Sequence, residues 1–199
     1  MSFPKFLLLL LTVISLNVSA FDLFNLGIAS DKAAFISANQ TKSNKFNFNF
    51  PDIDLVDQHN QVISLEKIGN TQQNVVFAFF FTHCVTICTT TTLSLKSIQP
   101  DLPDNTLIAM ISIDPQTDSP EVLQDFAEKH HINDPQWLLL TGDTKQIIDF
   151  QKSFNAYSGN KMNHSTSLYI KRPNSNLITE LQSNFSTIPE LLKQESAEL

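Results

Sequence analysis

The sequence predicts an α/β domain in which strands and helices alternate around one central sheet. Two continuous apolar runs, NVVFAFFFT at 74–82 and TLIAMISID at 106–114, are typical of strands that are covered on both faces. Between and after them lie two segments of helical length, 88–99 and 118–132. This alternation favours a largely parallel sheet with helices on both sides.

The N-terminal region has the three-part pattern of a secretory signal peptide over residues 1–20. Lys5 is followed by an apolar stretch, which ends in the small residues of Val18–Ala20. The stretch is shorter than the roughly 20 apolar residues of a membrane-spanning helix. We therefore expect a periplasmic or secreted protein, or a membrane-anchored one that faces the periplasm if the signal stays uncleaved. Residues 21–44 are interpreted as an N-terminal extension and linker, and 45–199 as the folded domain.

Local signals justify the elements of that domain in order. Alternating Phe and Asn at 45–50 indicates an edge strand, and Pro100 ends the helix at 88–99. Ser119 can cap the next helix, with Pro120 in its first turn. The remaining elements are a strand at 136–141, a helix at 143–154, a hairpin of 166–171 with 176–181, and a final helix at 187–195.

Composition limits the classes of function. A formal net charge of −7 and a pI near 5.1 argue against broad nucleic-acid binding, which needs a basic surface. In an oxidising compartment, a chain with two cysteines usually forms a disulfide. However, Cys84 and Cys88 lie only four residues apart, so a bond between them closes too small a loop to stabilise the fold much.

The cysteine pair therefore needs a chemical explanation. It follows a buried strand at the start of a helix, whose N-terminus lowers the pKa of a thiol. Positions i and i+4 of a helix share one face and are separated by a rise of about 6 Å. Two such sulfurs can bond to each other or hold one soft metal ion. From the residues alone, burial as small apolar groups, a redox disulfide and metal binding all stay open.

A third metal ligand would normally be a histidine. His130 and His131 lie at a predicted helix C-terminus, where a cation complements the helix dipole. His164 lies in a loop that runs into a late strand and can approach the cysteines. The chain offers five candidates: His59, His83, His130, His131 and His164.

Five segments over about residues 48–195 have distinctive patterns. FFFTHCVTIC contains C-x-x-x-C, and MISIDPQTDSPEVLQDFAEKH contains S-x-D-P followed by a predicted helix. The others are the strand WLLLTG, the segment NHSTSLYI that runs into a strand, and FPDIDLVDQHNQVISLEKIGN near the start of the domain. Together, and in family order, they resemble segments of the Sco/SenC family of thioredoxin-fold copper proteins, in which NHSTSLYI matches the D-H-S segment and FPDIDLVDQHNQVISLEKIGN the early hairpin. On this ordered set the chain is identified as a member of the family.

The resemblance implies a thioredoxin-like fold with a central mixed sheet flanked by helices and an N-terminal hairpin extension. It also implies that Cys84, Cys88 and His164 bind a copper ion, Cu(I) or Cu(II), and that the two cysteines can form a reversible disulfide. Asp114 matches the acid of the S-x-D-P segment, which lies near the site in the family. Capping of the turn before Pro115 is an equally good role for it.

The function so implied is that of a metallochaperone-type assembly factor. It would deliver copper to the copper A site of cytochrome c oxidase, or reduce the cysteines of that site. The expected partner is a copper-accepting oxidase subunit or another periplasmic copper or thiol protein, and nucleic acid is not expected. The alternative is a periplasmic thiol–disulfide oxidoreductase, or a copper-homeostasis or redox-sensing protein without copper delivery.

Three departures from the family pattern surround the site. Val85 and Thr89 stand where the family often has proline, and Asn163 replaces the acid before the histidine. Loss of that carboxylate removes a hydrogen-bond partner and a negative charge near the metal. Met162 is a soft sulfur close to His164, for which we expect a core or surface role.

Overall fold

A computed structural model of the chain describes residues 43–182 and 184–194. Within these ranges, strands and helices alternate as the sequence predicts. The strands are β1 (Ser43–Asn47), β2 (Asp54–Asp57), β3 (Val62–Ser64), β4 (Asn74–Phe80), β5 (Thr106–Ser112), β6 (Trp137–Thr141), β7 (Leu168–Lys171) and β8 (Leu177–Leu181). The helices are α1 (Leu65–Gly69), α2 (Ile87–Ile98), α3 (Pro120–Lys129), α4 (Thr144–Ser153) and α5 (Ile188–Gln194). The predicted signal peptide and most of the predicted linker lie outside the described residues.

The eight described strands form one mixed sheet in the order β1-β8-β7-β4-β5-β6-β2-β3. Only the pairs β4–β5 and β5–β6 are parallel, because helices α2 and α3 carry the chain back across the sheet between them. The other pairings are antiparallel, so the alternation pattern overstated the parallel part of the sheet. The central mixed sheet implied by the family resemblance is confirmed, and β2 and β3 form the early hairpin.

The central strand β4 is buried along its whole length. Val76, Ala78 and Phe80 enter the core on one face of the sheet, and the alternate residues enter the core on the other face. Two covered faces explain why this strand is continuously apolar. The site described below lies beyond the carboxyl end of β4, so this buried strand fixes where the chain enters the site.

Aromatic packing holds the N-terminal edge strand. β1 pairs with β8, as the Phe–Asn alternation predicts, and the first two residues of β1 belong to the predicted linker. The ring centroid of Phe46 in β1 lies 5.8 Å from that of Phe154. Just after the strand, the ring centroids of Phe48 and Phe50 lie 4.4 Å from Phe154 and 5.1 Å from Phe77. The edge strand is therefore tied to the core through side chains as well as through backbone hydrogen bonds.

The loop between β5 and α3 ends in the predicted helix cap. The Ser119 hydroxyl accepts the Val122 N–H, and Pro120 occupies the first turn of α3. The helix buries Leu123, Phe126 and Ala127. In the part of the chain described here, no helix combines the length and the apolar character needed to cross a membrane.

Candidate metal centre

The fold brings Cys84, Cys88 and His164 together. Their candidate ligand atoms all lie within 4.8 Å of one another, and the Sγ of Cys88 is 3.4 Å from the Nε2 of His164. Both cysteines are buried free thiols, and His164 is half-buried. Among residues 43–182 and 184–194, this is the one cluster of three or more potential His, Cys, Asp or Glu ligands.

Cys84 lies in a turn before the helix and not within it. The chain leaves β4, and the N–H of Cys84 donates to the carbonyl of Phe81 at 3.2 Å. Helix α2 begins at Ile87, and the side chain of its N-cap residue Thr86 makes no capping hydrogen bond. Instead, the Sγ of Cys84 accepts the N–H of Cys88 at 3.3 Å. The sulfur thus satisfies one of the free N–H groups of the first turn.

This placement favours the thiolate form of Cys84. Burial raises the pKa of the thiol, but hydrogen bonds from the Cys88 thiol and from the N–H groups of Cys88, Thr86 and Ile87 outweigh it. The pKa of Cys84 is therefore held below its ordinary value. A helix N-terminus is a known setting for such a shift.

Cys88 has the opposite character. It lies in the first turn of α2 and is almost completely buried. Burial is the largest cause that raises the pKa of Cys88 to about 12, followed by the hydrogen bond to Cys84 and by the negative charges of Cys84 and Asp118. Without metal, the pair therefore holds one thiolate-prone sulfur and one sulfur that keeps its proton.

His164 presents a free lone pair to the cysteines. Its Nδ1 lies 2.9 Å from the carbonyl oxygen of Ser165. A carbonyl can only accept, so we assign the proton to Nδ1, which leaves Nε2 as an acceptor facing Cys88. The ring also meets the Phe81 ring at 5.6 Å with an interplanar angle of 77°. An imidazole fixed through its other nitrogen is typical of a metal ligand.

Asp114 does not join the cluster of three candidate ligands. Its carboxylate accepts a hydrogen bond from Lys161 at 2.6 Å, and its backbone carbonyl, not its side chain, accepts the turn N–H groups of Thr117 and Asp118. Lys161 begins the short 3₁₀ turn Lys161–Asn163, which leads directly to His164. Asp114 therefore contacts the segment that carries the histidine.

The other predicted candidates lie outside the cluster. His59 and His131 are exposed, and His130 lies against the Phe126 ring at 4.3 Å. His83 is exposed, with its Nδ1 at 3.1 Å from the Thr82 hydroxyl. Of the departures, Val85 and Asn163 are exposed, whereas the Thr89 hydroxyl donates to the carbonyl of Cys84 at 3.3 Å. Met162 is exposed, in line with a surface role.

Sequence reasoning missed one group beside the site, the buried carboxylate of Asp118. It accepts hydrogen bonds from Thr82 and from the hydroxyl of Ser112. Its position directly before the cap residue of α3 makes an ordinary polar turn residue the simplest prediction. No local pattern distinguishes a buried acid at this place from an exposed one.

The arrangement supports two kinds of chemistry. Two sulfurs and one imidazole form a soft ligand set, which suits Cu(I) or Zn²⁺ and not a hard cation such as Mg²⁺. The same two sulfurs are neighbours in space and can exchange between dithiol and disulfide. The reversible Cys84–Cys88 disulfide remains a prediction.

Comparison with known proteins identifies relatives of this chain. The family model described as SCO1/SenC matches residues 39–196. The SCO1 protein homolog of Bacillus subtilis is 30% identical over 112 residues, which cover 51% of this chain and 58% of that protein. The chain spans about half the length of several of the curated relatives it matches.

Solved structures share the fold. The structure of BsSco, described as a Sco-family protein with a disulfide switch, is 25% identical, with a TM-score of 0.63 over 77% of this chain and 96% of that one. Copper-bound ScoI of Arabidopsis thaliana is 18% identical, with a TM-score of 0.64 over 76% of this chain and 99% of that one. These likenesses confirm a thioredoxin-like Sco architecture.

Proposed function

Because the chain belongs to the SCO1/SenC family, we propose that it binds one copper ion and serves in the assembly of the copper A site of a cytochrome c oxidase. The observation that carries the proposal is the convergence of Cys84, Cys88 and His164 within 4.8 Å. The copper bound in the Arabidopsis relative supports the choice of metal. In this function copper is a cargo that the protein receives and gives up.

Binding of the cargo requires deprotonated sulfurs. Cys84 is already biased toward the thiolate, and Cys88 gives up its proton when Cu(I) arrives. Nε2 of His164 supplies a neutral third ligand because Nδ1 holds the proton. Two thiolates and one Cu(I) leave a single net negative charge, which a half-buried site tolerates better than two free thiolates.

Release to an acceptor follows from unequal access to the ligands. Cys84 is 8% exposed and Cys88 only 1%. Val85 and Ile87 lie between them in sequence and are 79% and 45% exposed. An incoming ligand of the acceptor would therefore replace Cys84 before Cys88, and the apolar side chains would contact the acceptor surface.

Copper titration of the reduced protein tests this function. We expect about one Cu(I) per chain, and loss of tight binding in both Cys84→Ser and Cys88→Ser. His164→Ala should weaken binding and change the ligand signature in X-ray absorption spectra, because one nitrogen is lost from the copper shell. His59→Ala removes an exposed histidine outside the cluster and should bind as the wild type does. Equal stoichiometry and affinity in all four variants would refute copper binding at this site.

Thiol–disulfide exchange is a second candidate function, favoured by the contrast between the two sulfurs. The Cys84 thiolate would attack an acceptor disulfide, forming a mixed disulfide and releasing one acceptor sulfur as a thiolate. Cys88 then loses its proton and attacks the mixed disulfide, which forms the Cys84–Cys88 bond and releases the second sulfur. Two electrons pass to the acceptor, whose disulfide becomes a dithiol.

Replacement of the histidine separates these functions. His164→Ala removes a metal ligand but neither sulfur, so it should leave the exchange rate with a model disulfide nearly unchanged. Copper delivery would be lost, whereas a purely reductive function would be kept. Measurement of oxidase assembly in a host that carries this variant distinguishes the two.

The location of the protein follows from the N-terminal pattern. We propose export across the membrane, with cleavage after Ala20 or retention of the segment as an anchor that keeps the domain near the membrane. N-terminal sequencing of the protein from its host tests this. A mature N-terminus at Phe21 identifies cleavage, and an intact N-terminus in the membrane fraction identifies an anchor.

A further inference from the structure

Asp118 is a buried carboxylate that lies next to the turn leading to Cys84. Asp118 is 0% exposed, and no described lysine, arginine or histidine forms a salt bridge with it. Its Oδ1 accepts the Thr82 hydroxyl at 2.5 Å. Its Oδ2 accepts the Thr82 N–H at 3.1 Å and the Ser112 hydroxyl at 2.6 Å. Both carboxylate oxygens are thus occupied.

These hydrogen bonds explain how the charge is tolerated. A buried carboxylate is costly unless donors satisfy it. Here three donors surround it, and the positive end of the α3 dipole lies directly after it in sequence. The donors come from the carboxyl ends of two neighbouring strands, since Phe80 and Ser112 are paired residues of β4 and β5. Asp118 therefore ties the end of β5 to the chain that has just left β4.

The residue that Asp118 holds controls the direction of the chain toward Cys84. Thr82 is fixed through both its N–H and its hydroxyl, two residues before Cys84. Cys88 is carried by helix α2, and His164 lies on a separate segment tied to Ser165 and Phe81. Cys84 lies in no helix or strand: its sulfur and its carbonyl accept hydrogen bonds from Cys88 and Thr89 of α2, and the path of its backbone is set by the turn that begins at Phe81.

We propose that Asp118 is a positioning residue that sets the Sγ of Cys84 relative to Cys88 and His164. Its hydrogen bonds reach Thr82 and Ser112 and none of the three candidate ligands, so its support of Cys84 passes through Thr82, whereas its negative charge is a separate influence on Cys88. The copper part of this inference rests on the proposed function. The effect of Asp118 on the geometry of the cysteine pair does not depend on copper binding.

Two substitutions separate the shape of Asp118 from its charge. In Asp118→Asn, the amide oxygen can accept the Thr82 N–H and the Ser112 hydroxyl, and the amide nitrogen can donate to the Thr82 hydroxyl. That hydroxyl is then free to donate to the Nδ1 of His83, which already lies within 3.1 Å. Asp118→Ala removes every one of these bonds. Positioning therefore predicts near-normal behaviour for asparagine and a defect for alanine.

The matched control is Asp57, another buried carboxylate. Asp57 is 3% exposed and accepts the N–H groups of His59 and Gln61 in the β2–β3 turn, at 2.9 and 2.8 Å. That hairpin lies at the opposite edge of the sheet from β1, three strand positions from β4. Asp57→Ala should lower the melting temperature as Asp118→Ala does, without changing the chemistry of the cysteines.

The experiment measures two properties of each purified full-length protein. One is the Cu(I) affinity of the reduced form, by competition with a chromophoric chelator. The other is the equilibrium constant for disulfide formation against glutathione, without metal. We expect Asp118→Ala to weaken Cu(I) binding by about tenfold or more, the scale of lost supporting contacts at metal sites. The equilibrium constant for disulfide formation should fall about fivefold or more, because the two sulfurs are less often close enough and correctly oriented to bond.

The positioning role is overturned if folded Asp118→Ala has the Cu(I) affinity and the disulfide constant of the wild type. It is also overturned if Asp118→Asn is as defective as Asp118→Ala, because the loss of charge would then be the cause. If Asp118→Ala does not fold, Thr82→Val decides: a smaller loss in the same direction supports positioning, and wild-type behaviour overturns it. If the wild type binds no copper, the proposed function fails, and the disulfide constant alone tests the role of Asp118.

Discussion

Alkylation of the reduced, metal-free protein should distinguish the two sulfurs by a large factor. With a pKa of about 12, Cys88 is a thiolate in roughly one molecule in ten thousand at about pH 8. An ordinary thiol is about a tenth thiolate or more at this pH, and Cys84 exceeds that fraction because its pKa is lowered by the hydrogen bonds it accepts. The thiolate fraction of Cys84 is therefore at least about a thousand times that of Cys88.

Intrinsic reactivity reduces this ratio without reversing it. A thiolate of lower pKa is a weaker nucleophile, which offsets about half of the logarithm of this ratio. The net expectation is labelling of Cys84 faster than Cys88 by about thirtyfold or more, and the greater exposure of Cys84 acts in the same direction. Brief treatment with iodoacetamide, acid quenching and fragmentation of the cysteine peptide by mass spectrometry measure both rates.

Single-cysteine variants provide the controls. In Cys88→Ser the serine hydroxyl can still donate to Cys84, so labelling of Cys84 should remain fast. In Cys84→Ser the burial of Cys88 remains, so labelling should remain slow. Equal rates for the two cysteines in the wild type, or faster labelling of Cys88, would contradict the assignment of the helix N–H groups to Cys84.

Three further predictions concern copper affinity and the stability of the fold. Apparent Cu(I) affinity should rise with pH, by about tenfold per unit for each thiol proton that binding releases, in chelator competition from about pH 6 to 9. Lys161→Gln breaks the ion pair with Asp114. Because the lysine is 46% exposed, the melting temperature should hardly change, whereas the affinity for Cu(I) should fall a few-fold. Lys145→Gln, which breaks an exposed helical pair, should change neither. Phe48→Ala should cost about 2 kcal/mol of unfolding free energy in urea titration and leave Cu(I) affinity unchanged.

The sequence was most informative where burial or capping imposes a local pattern on the residues. The uninterrupted apolar run of β4 predicts a strand covered on both faces, and Ser119 with Pro120 predicts the start of α3 to the residue. The parallel character of the sheet was overestimated, because alternation along the chain does not specify where each strand is inserted. β7 follows a helix, yet it pairs with β4 in the antiparallel sense.

The three residues that cluster could be named from the sequence, and their role as metal ligands stays a prediction, whereas their geometry could not be foreseen. Spacing suggests that Cys84 and Cys88 share a helix face, but Cys84 lies before the helix and caps it through its sulfur. His164 could be selected only through the family resemblance, since a loop histidine has no periodic signal. Asp118 could not be found at all, because its burial results from contacts with residues far away along the chain.

The loop between β5 and α3 contributes no metal ligand, yet it contacts the supports of two ligands. Asp118 holds Thr82 in the turn that leads to Cys84, and Asp114 holds Lys161 in the turn that leads to His164. Of the three candidate ligands, only Cys88 lies within an α-helix. Both acids lie in the segment that resembles the S-x-D-P signature. That segment can therefore support the site without touching a metal ion, because its two aspartates hold the turns that lead to Cys84 and His164.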